Sequence, residues 1–419
     1  MNPGEAAAQA RGRERILLAL LFWATASNYL DRQALSVAAP VLRAQLGLSS
    51  IGYSRVIFVF LLGYTIGQTP AGKVIDKVGT RLGMLLCVAV WSTVTTLHGL
   101  AAGVISLGVL RFLLGVAEAG NWPGGIKAVS ENLPPDRRAF GVGVFNSGSA
   151  AGALLAPPLV VAIMGLWGWG PMFVVIGITG FLWTLLWARH YPARPPLRGE
   201  ASLDDAGAQP SLRCYLRQKA LWGLLVGRFF SDPTWWFYAF WLPDYLAQRR
   251  GFDLMTIGRT ARIPFVFVGV GGWLGGYASD GLIRRGWFKV SARKLVMGLS
   301  ALLMLCGIPA FQAHSSAAAL AWISLVLFGY SSWASNVLSL PVDLFKSEVV
   351  GQVAGLCSTT AAIGGMGFTL VTGWLVQRGI LRVGVRAFLW DDSHRRWRNH
   401  PDHTQERAGR REHGLGPGR

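Results

Sequence analysis

Two short stretches put acids and bases inside apolar runs. Asn28-Tyr29-Leu30-Asp31-Arg32 lies within a run from Ile16 to Leu42, and Arg111 and Glu118 lie in another from 104 to 125. Seven residues make two helical turns, so Arg111 and Glu118 share a helix face, about 10 Å apart along the axis. A charge at membrane depth costs roughly 3 kcal/mol on insertion scales, so such residues usually face a bundle interior and carry function. Arginine stays cationic when desolvated and grips a carboxylate through two parallel hydrogen bonds. A carboxyl in a poorly hydrated cavity holds its proton more tightly, and a neighbouring guanidinium loosens it. Acids and arginines in such places suit the handling of an anion and a proton. A structural ion pair between helices is the other reading of Arg111 and Glu118. The small and polar residues beside them (Gly115, Gly120, Asn121, Pro123, Gly124, Gly125) suit a cavity wall better than a packed core.

A third acid stands in the stretch Arg228-Phe229-Phe230-Ser231-Asp232-Pro233-Thr234-Trp235-Trp236. Asp232 falls about 18 Å into a helix that starts near Ala220, close to mid-bilayer. Pro233 frees a carbonyl there, which is tolerable only where protein or cavity water satisfies it. Trp235 and Trp236 either pack against core and lipid or offer an aromatic face to the C–H side of a sugar ring. Asn336 either binds substrate hydroxyls or hydrogen-bonds a neighbouring helix.

The elements that must position these residues are read from hydropathy. The chain has 419 residues, 52% hydrophobic and 15% charged, against about 25% charged for a soluble domain. Apolar runs of membrane-spanning length fall near 16–42, 54–76, 82–103, 104–125, 138–164 and 170–191. Others follow near 220–247, 256–280, 292–313, 316–341 and 350–377. The chain is therefore expected to be an all-α polytopic membrane protein. Its parts are an amino-terminal six-helix half (1–191), a cytoplasmic linker (192–219), a carboxy-terminal half of five spans (220–377) and a basic, disordered tail (378–419). A twelfth span is expected and not seen, either because the reading frame shifts near Arg378 or because the tail is natural.

Met1 to Arg15 is polar and Arg-rich, unlike a cleavable signal peptide. The net charge of +19 sits mostly between the apolar runs, at Arg11, Arg13 and Arg15, at Lys73, Lys77 and Arg81, at Arg137 and Arg138, and from Arg284 to Lys294. All these lie on one side if the amino terminus is cytoplasmic, as the positive-inside rule requires; Arg249 and Arg250 are exceptions. This distribution argues against nucleic-acid binding. Cys87, Cys214, Cys306 and Cys357 show no metal or disulfide spacing, and His400 and His403 read as part of the tail. No nucleophile–base or metal constellation appears, so no cofactor or metal is expected and an enzyme is excluded.

Gly72, Asp76, Gly79 and Arg81 stand at the spacing G-x-x-x-D-x-x-G-x-R, which resembles a gating motif of the major facilitator superfamily. The motif returns as Gly276 and Asp280, followed by Arg284, Arg285 and Gly286, half a chain later, as expected of two parallel-repeat halves. Asp76 is expected to cap a helix terminus or pair with Arg81. Residues 28–40 and 111–124 resemble the first and fourth spans of the anion:cation symporter family within that superfamily, and the stretch around Asp232 is similar to its bacterial hexuronate carriers. The resemblance covers about residues 15–377.

It implies proton-coupled symport of a sugar-acid anion, most simply a hexuronate such as glucuronate or galacturonate. Asp31, Glu118 and Asp232 would handle protons, and Arg32 and Arg111 would meet the carboxylate. Tyr29, Tyr64, Gln68, Trp235, Trp236 and Asn336 would line the pocket. Ala156 before Pro157 departs from the superfamily's antiporter pattern and leans toward symport. The expected setting is a monomer in the lipid bilayer of a bacterial inner membrane. The rivals are carriage of another organic anion (an aldonate, glucarate or a dicarboxylate) and an inactive truncated carrier or non-transporting sensor.

Overall fold

The computed structural model of the chain describes residues 3–192, 216–345 and 347–378. Among them only helices and turns occur. The amino-terminal half runs α1 (Pro3–Gln45), α2 (Ser50–Val78), α3 (Thr80–Leu97), α4 (Val104–Glu118), α5 (Asn121–Asn132), α6 (Pro135–Trp167) and α7 (Trp169–His190). The second half runs α8 (Lys219–Arg250), α9 (Leu254–Thr260), α10 (Ile263–Arg284), α11 (Lys289–Met304), α12 (Gly307–Gln312), α13 (Ser316–Val337), α14 (Leu340–Leu344) and α15 (Ser347–Gln377). Among the described residues eight stretches are long and apolar enough to cross a membrane. The charge-bearing helices α1 and α8 are not among them, because the residues that make the site lower their hydropathy.

The helices exceed the expected spans at most ends, and four spans are broken. The fourth divides into α4 and α5 at Ala119–Gly120, the eighth into α9 and α10, the ninth into α11 and α12, and the tenth into α13 and α14. The breaks at Ala119–Gly120, Leu305–Cys306 and Leu338–Ser339 fall on residues that fit an apolar run, so hydropathy conceals them. Pro233 and Pro243 lie inside α8, which continues through both. The linker between the halves (193–215, with Cys214), the tail from 379 and the expected twelfth span lie outside the described residues. The chain divides into one compact unit to Gly373 and another from Trp374. In the second, the Arg378 guanidinium lies 4.2 Å over the Trp374 ring.

Repeat symmetry is visible in the close helix crossings. In the first half α6 meets α1 at Gly148 and Gly152, where a Cβ would stand 2.3 Å from the carbonyls of Phe22 and Ala26. In the second half α15 meets α8 at Gly364, where a Cβ would stand 2.2 Å from the Phe229 carbonyl. Glycine-for-side-chain crossings of this kind let membrane helices approach backbone to backbone. Gly79 and Gly286, at the ends of the two motif copies, both adopt positive φ (86° and 91°). Only glycine takes that conformation without strain.

Arg81 does not pair with Asp76. Its Nη2 donates to the Ala188 carbonyl at 2.6 Å, while Asp76 pairs with Lys127 of α5 at 2.5 Å. In the second copy Asp280 lies 4.0 Å from Arg293, which also binds Asp343. Each motif thus ties its turn to a different helix of its own half. Arg250 is satisfied by the carbonyls of Ala310 and Ala313 and by the Tyr245 hydroxyl, which explains a basic residue on the side opposite the other charges.

Replacing Gly152 by Leu should separate α1 from α6 and destabilise the folded carrier by at least the 1–3 kcal/mol typical of overpacking, roughly. Gly143→Leu, with open space around its Cβ, should not. Thermal unfolding of the purified protein in detergent separates the two.

Candidate functional site

The charged residues of α1 meet those of α4. Arg32 does not pair with its neighbour Asp31. Its Nε donates to Glu118 Oε2 at 2.7 Å, with side chains 5% and 0% exposed. The Arg32 guanidinium also lies 4.5 Å from the Tyr64 ring centre, 5.1 Å from Tyr29 and 5.4 Å from Phe60. Aromatic faces attract a cation electrostatically, more so when it is desolvated. The helix α4 can come this close to α2 because Gly115 lies on the Phe60 carbonyl, where a Cβ would stand at 2.3 Å.

Arg111, two turns from Glu118, turns to the other member of the α1 pair. Its Nη1 lies 3.5 Å from the Asp31 backbone carbonyl, and it neighbours the Asp31 carboxyl. Both side chains are buried. The contacts thus cross between helices: Arg32 of α1 forms an ion pair with Glu118 of α4, and Arg111 of α4 reaches back to the Asp31 backbone of α1. Several of their atoms, Arg32 Nη2, Arg111 Nε and Nη2, Asp31 Oδ1 and Glu118 Oε1, are buried without a protein hydrogen-bond partner. Removing one partner of a buried pair strands the other charge, at about 3–5 kcal/mol. The spare donors and acceptors are what an anion and a proton would use.

The second half adds a third pair. Arg228 Nη2 and Asp232 Oδ2 stand 2.8 Å apart along α8, and the Tyr330 hydroxyl of α13 donates to Asp232 Oδ1 at 3.1 Å. Trp235 stacks on Tyr330 at 6.1 Å and reaches across to Tyr29 of the first half at 6.5 Å. Tyr29 and Trp235 thus link the two sets of charges. Trp236 stacks on Phe240 and lies against Gly365 of α15. Gln68 lies one turn beyond Tyr64, half-buried. Asn336 donates its Nδ2 hydrogens to the carbonyls of Gly275 on α10 and Ser332 on its own helix, while its Oδ1 takes no partner from the protein.

Arg228 and Tyr330 were legible only in part. Arg228 stands four residues before Asp232, a helical pairing distance, whereas Tyr330 reaches Asp232 from 98 residues away.

Where α1 ends and α2 begins, the halves are clamped together. Arg43 Nη1 meets Asp244 Oδ2 of α8 at 2.5 Å, and its other nitrogens bond Ser50 Oγ and the Leu48 carbonyl. The hydroxyls of Ser36 and Tyr53 donate to the Phe240 carbonyl at 3.1 and 2.8 Å. Pro243 lies in the same turn of α8, where its missing N–H loosens the ladder. Asp244→Ala should release this clamp. A Ser36→Cys probe, buried beneath it, should then react with a bulky maleimide about tenfold faster, the effect of a 1.4 kcal/mol shift in population; an unchanged rate would deny the clamp any closing role.

Residues 21–369 match the Major Facilitator Superfamily. The chain is 31% identical to the hexuronate transporter of Escherichia coli K12 over 387 residues, covering 88% of each. It is 34% identical to the galacturonate transporter of Dickeya chrysanthemi over 312 residues, covering 70% of this chain and 90% of that one. It is 30% identical to the probable galactarate/D-glucarate transporter of Escherichia coli K12, covering 89% and 92%. Among solved structures, an inward-facing bacterial homologue of the human lysosomal transporter Spinster superposes with a TM-score of 0.77 at 20% identity, covering 90% of this chain and 86% of that one. The fold, the two motif copies and the similarity across most of the chain agree: this chain belongs to the Major Facilitator Superfamily and is a multi-pass membrane transporter, not an enzyme.

Proposed function

We propose that the chain is a proton-coupled symporter of a sugar-acid anion, a hexuronate such as glucuronate or galacturonate, working by alternating access in a bacterial inner membrane with its amino terminus cytoplasmic. The observation that carries this reading is the buried Arg32–Glu118 ion pair, with Arg111 of α4 reaching across to the Asp31 backbone of α1. The names of the relatives add the substrate class.

A substrate carboxylate entering the cavity competes with Glu118 or Asp31 for its arginine. The displaced acid, stripped of its cation in a poorly hydrated place, takes up a proton more readily. Anion and proton then load together, and the cavity keeps its charge balance. The ring of the sugar packs between Tyr29, Tyr64, Trp235 and Trp236, with Gln68 and Asn336 at the margins and Asp232 as a third acid. With the amino terminus inside, the Arg43–Asp244 clamp closes the outer end, and the motif residues Gly72, Asp76, Gly79, Arg81 and Asp280 lie at the inner one, where they act in gating.

A second reading, carriage of an aldarate or other dicarboxylate, is favoured by the Arg228–Asp232 pair, which gives the second half a guanidinium of its own. The galactarate/D-glucarate relative supports it too.

Reconstituted into liposomes with an inward proton gradient, the protein should accumulate labelled glucuronate or galacturonate and lose accumulation when the gradient is collapsed. Glu118→Gln should lower gradient-driven accumulation about a hundredfold, the usual worth of a positioned acid–base group. Full accumulation by that variant would overturn the assignment of Glu118. Accumulation of glucarate but of neither hexuronate would select the second reading.

A further inference from the structure

Behind the charged contacts of α1 and α4, α3 presents a polar row to the interior of the amino-terminal half. Trp91, Ser92, Thr95 and His98 occupy one face of that helix and its last turn, at 0%, 1%, 1% and 0% exposure. Transport chemistry as described above uses none of them. Trp91 Nε1, Ser92 Oγ, Thr95 Oγ1 and His98 Nε2 take no hydrogen-bond partner from the protein. Trp91 Nε1 and Ser92 Oγ lie toward Gly180 of α7, while Thr95 and His98 neighbour Asp31 and Arg111, whose Oδ1, Nε and Nη2 also take no partner.

The Thr95 hydroxyl lies against the Asp31 carboxyl, and Arg111 is close to both Asp31 and His98. Arg111 and His98 also share one aromatic ring: Phe173 of α7 lies 5.8 Å from the guanidinium and 5.2 Å from the imidazole. His98 Nδ1 is 2.7 Å from the Val94 carbonyl and so carries its hydrogen there, which leaves Nε2 as an acceptor. The charged group facing His98 is Arg111 from α4; α7 offers the uncharged Phe173, and its own helix offers the Val94 carbonyl. Donors on Arg111, an acceptor on His98 and a hydroxyl on Thr95 form a complementary set. Buried polar groups in native proteins are satisfied, and where no protein atom does so, water does.

The row also has a direction. Asp31 is mid-helix in α1, while His98 ends α3 at the side where α1 ends and Arg43 clamps Asp244. We propose that this row holds a file of bound waters, and that it is the path by which a proton reaches Asp31 without crossing the substrate cavity.

A proton entering from bulk water at the His98 end is passed by successive O–H bond exchange. Each water gains one proton and gives up another, and the last transfer, through the Thr95 hydroxyl, converts the Asp31 carboxylate to the neutral acid. His98 orients the outermost water through Nε2 and does not itself change charge. The Arg111 cation opposes an excess proton beside it, so the path conducts when a substrate carboxylate neutralises Arg111. That condition ties proton entry to substrate binding even while the outer clamp is shut.

The inference rests on the proton-coupled reading above, and one experiment separates the two. The full chain and its His98→Leu, His98→Gln and Thr95→Val variants are reconstituted, and two rates are measured with labelled glucuronate. One is counterflow at equal pH, which moves no net proton; the other is accumulation driven by a proton gradient. In His98→Leu and Thr95→Val, counterflow should stay within about twofold of the unaltered chain, and gradient-driven accumulation should fall about tenfold. His98→Gln, which restores an acceptor, should recover most of the loss. Unchanged gradient-driven accumulation in both variants, or an equal fall in both rates, would overturn the proposal and leave the row a packing feature. Counterflow without gradient-driven accumulation in the unaltered chain would overturn the symport reading, and this proposal with it.

Discussion

Burying the Arg32–Glu118 pair sets the terms for everything around it. Neither charge can stand alone at membrane depth, where each costs roughly 3 kcal/mol on insertion scales and an abandoned partner more. The two come from helices 86 residues apart, so the pair exists only if α1 and α4 are held to within side-chain reach. Gly115 lets α4 lie on α2, Gly148 and Gly152 let α6 lie on α1, and Tyr29, Phe60 and Tyr64 close an aromatic cage about the cation. A tight frame around an ion pair with spare hydrogen-bonding atoms is stable when the pair is intact and responsive when an outside anion breaks it.

The second half repeats the frame with different contents. Its glycine crossing between α15 and α8, and the positive φ of Gly286, match their counterparts in the first half. Its ion pair is made within one helix, Arg228 with Asp232, and is steadied by Tyr330 from another. A pair made within one helix does not depend on helix packing, so it can persist while the halves move. The pair in the first half depends on packing between helices. Aromatic contact between Tyr29 and Trp235, and the clamp at Arg43–Asp244, are where one half senses the other. On α11 Leu295, Leu299 and Leu302 are exposed, as are Leu305 just beyond it and Ile308 of α12. The corresponding helix of the first half, α3, is covered by α7, where Gly177 and Gly180 press on Thr96 and Ser92.

Much of this was legible in the chain itself. Apolar runs of about 20 residues mark spanning helices because a bilayer demands that length, and the two motif copies marked the repeat. Charges inside those runs marked Asp31, Arg32, Arg111, Glu118 and Asp232, because burial makes such residues conspicuous. Partner choice was not legible. Asp76 bonds Lys127 and not Arg81, and Arg32 bonds Glu118 and not its neighbour, because a partner is settled by which helices cross. Nothing in the sequence singles out Arg43 or Asp244, because their pairing depends on α1 and α8 lying side by side. Asn336 offered two readings of equal standing, and helix packing engages its amide nitrogen with the carbonyls of Gly275 and Ser332.

In the proposed mechanism, a substrate anion takes an arginine from an acid and the freed acid takes a proton. This exchange is tested most directly by proton uptake on binding, with purified protein in weakly buffered detergent solution and a pH-sensitive dye as glucuronate is added. About one proton should be taken up per glucuronate bound, and uptake should fall in Glu118→Gln or Asp31→Asn while some binding remains. Saturable glucuronate binding by the unaltered chain with no proton taken up at any pH would contradict the mechanism.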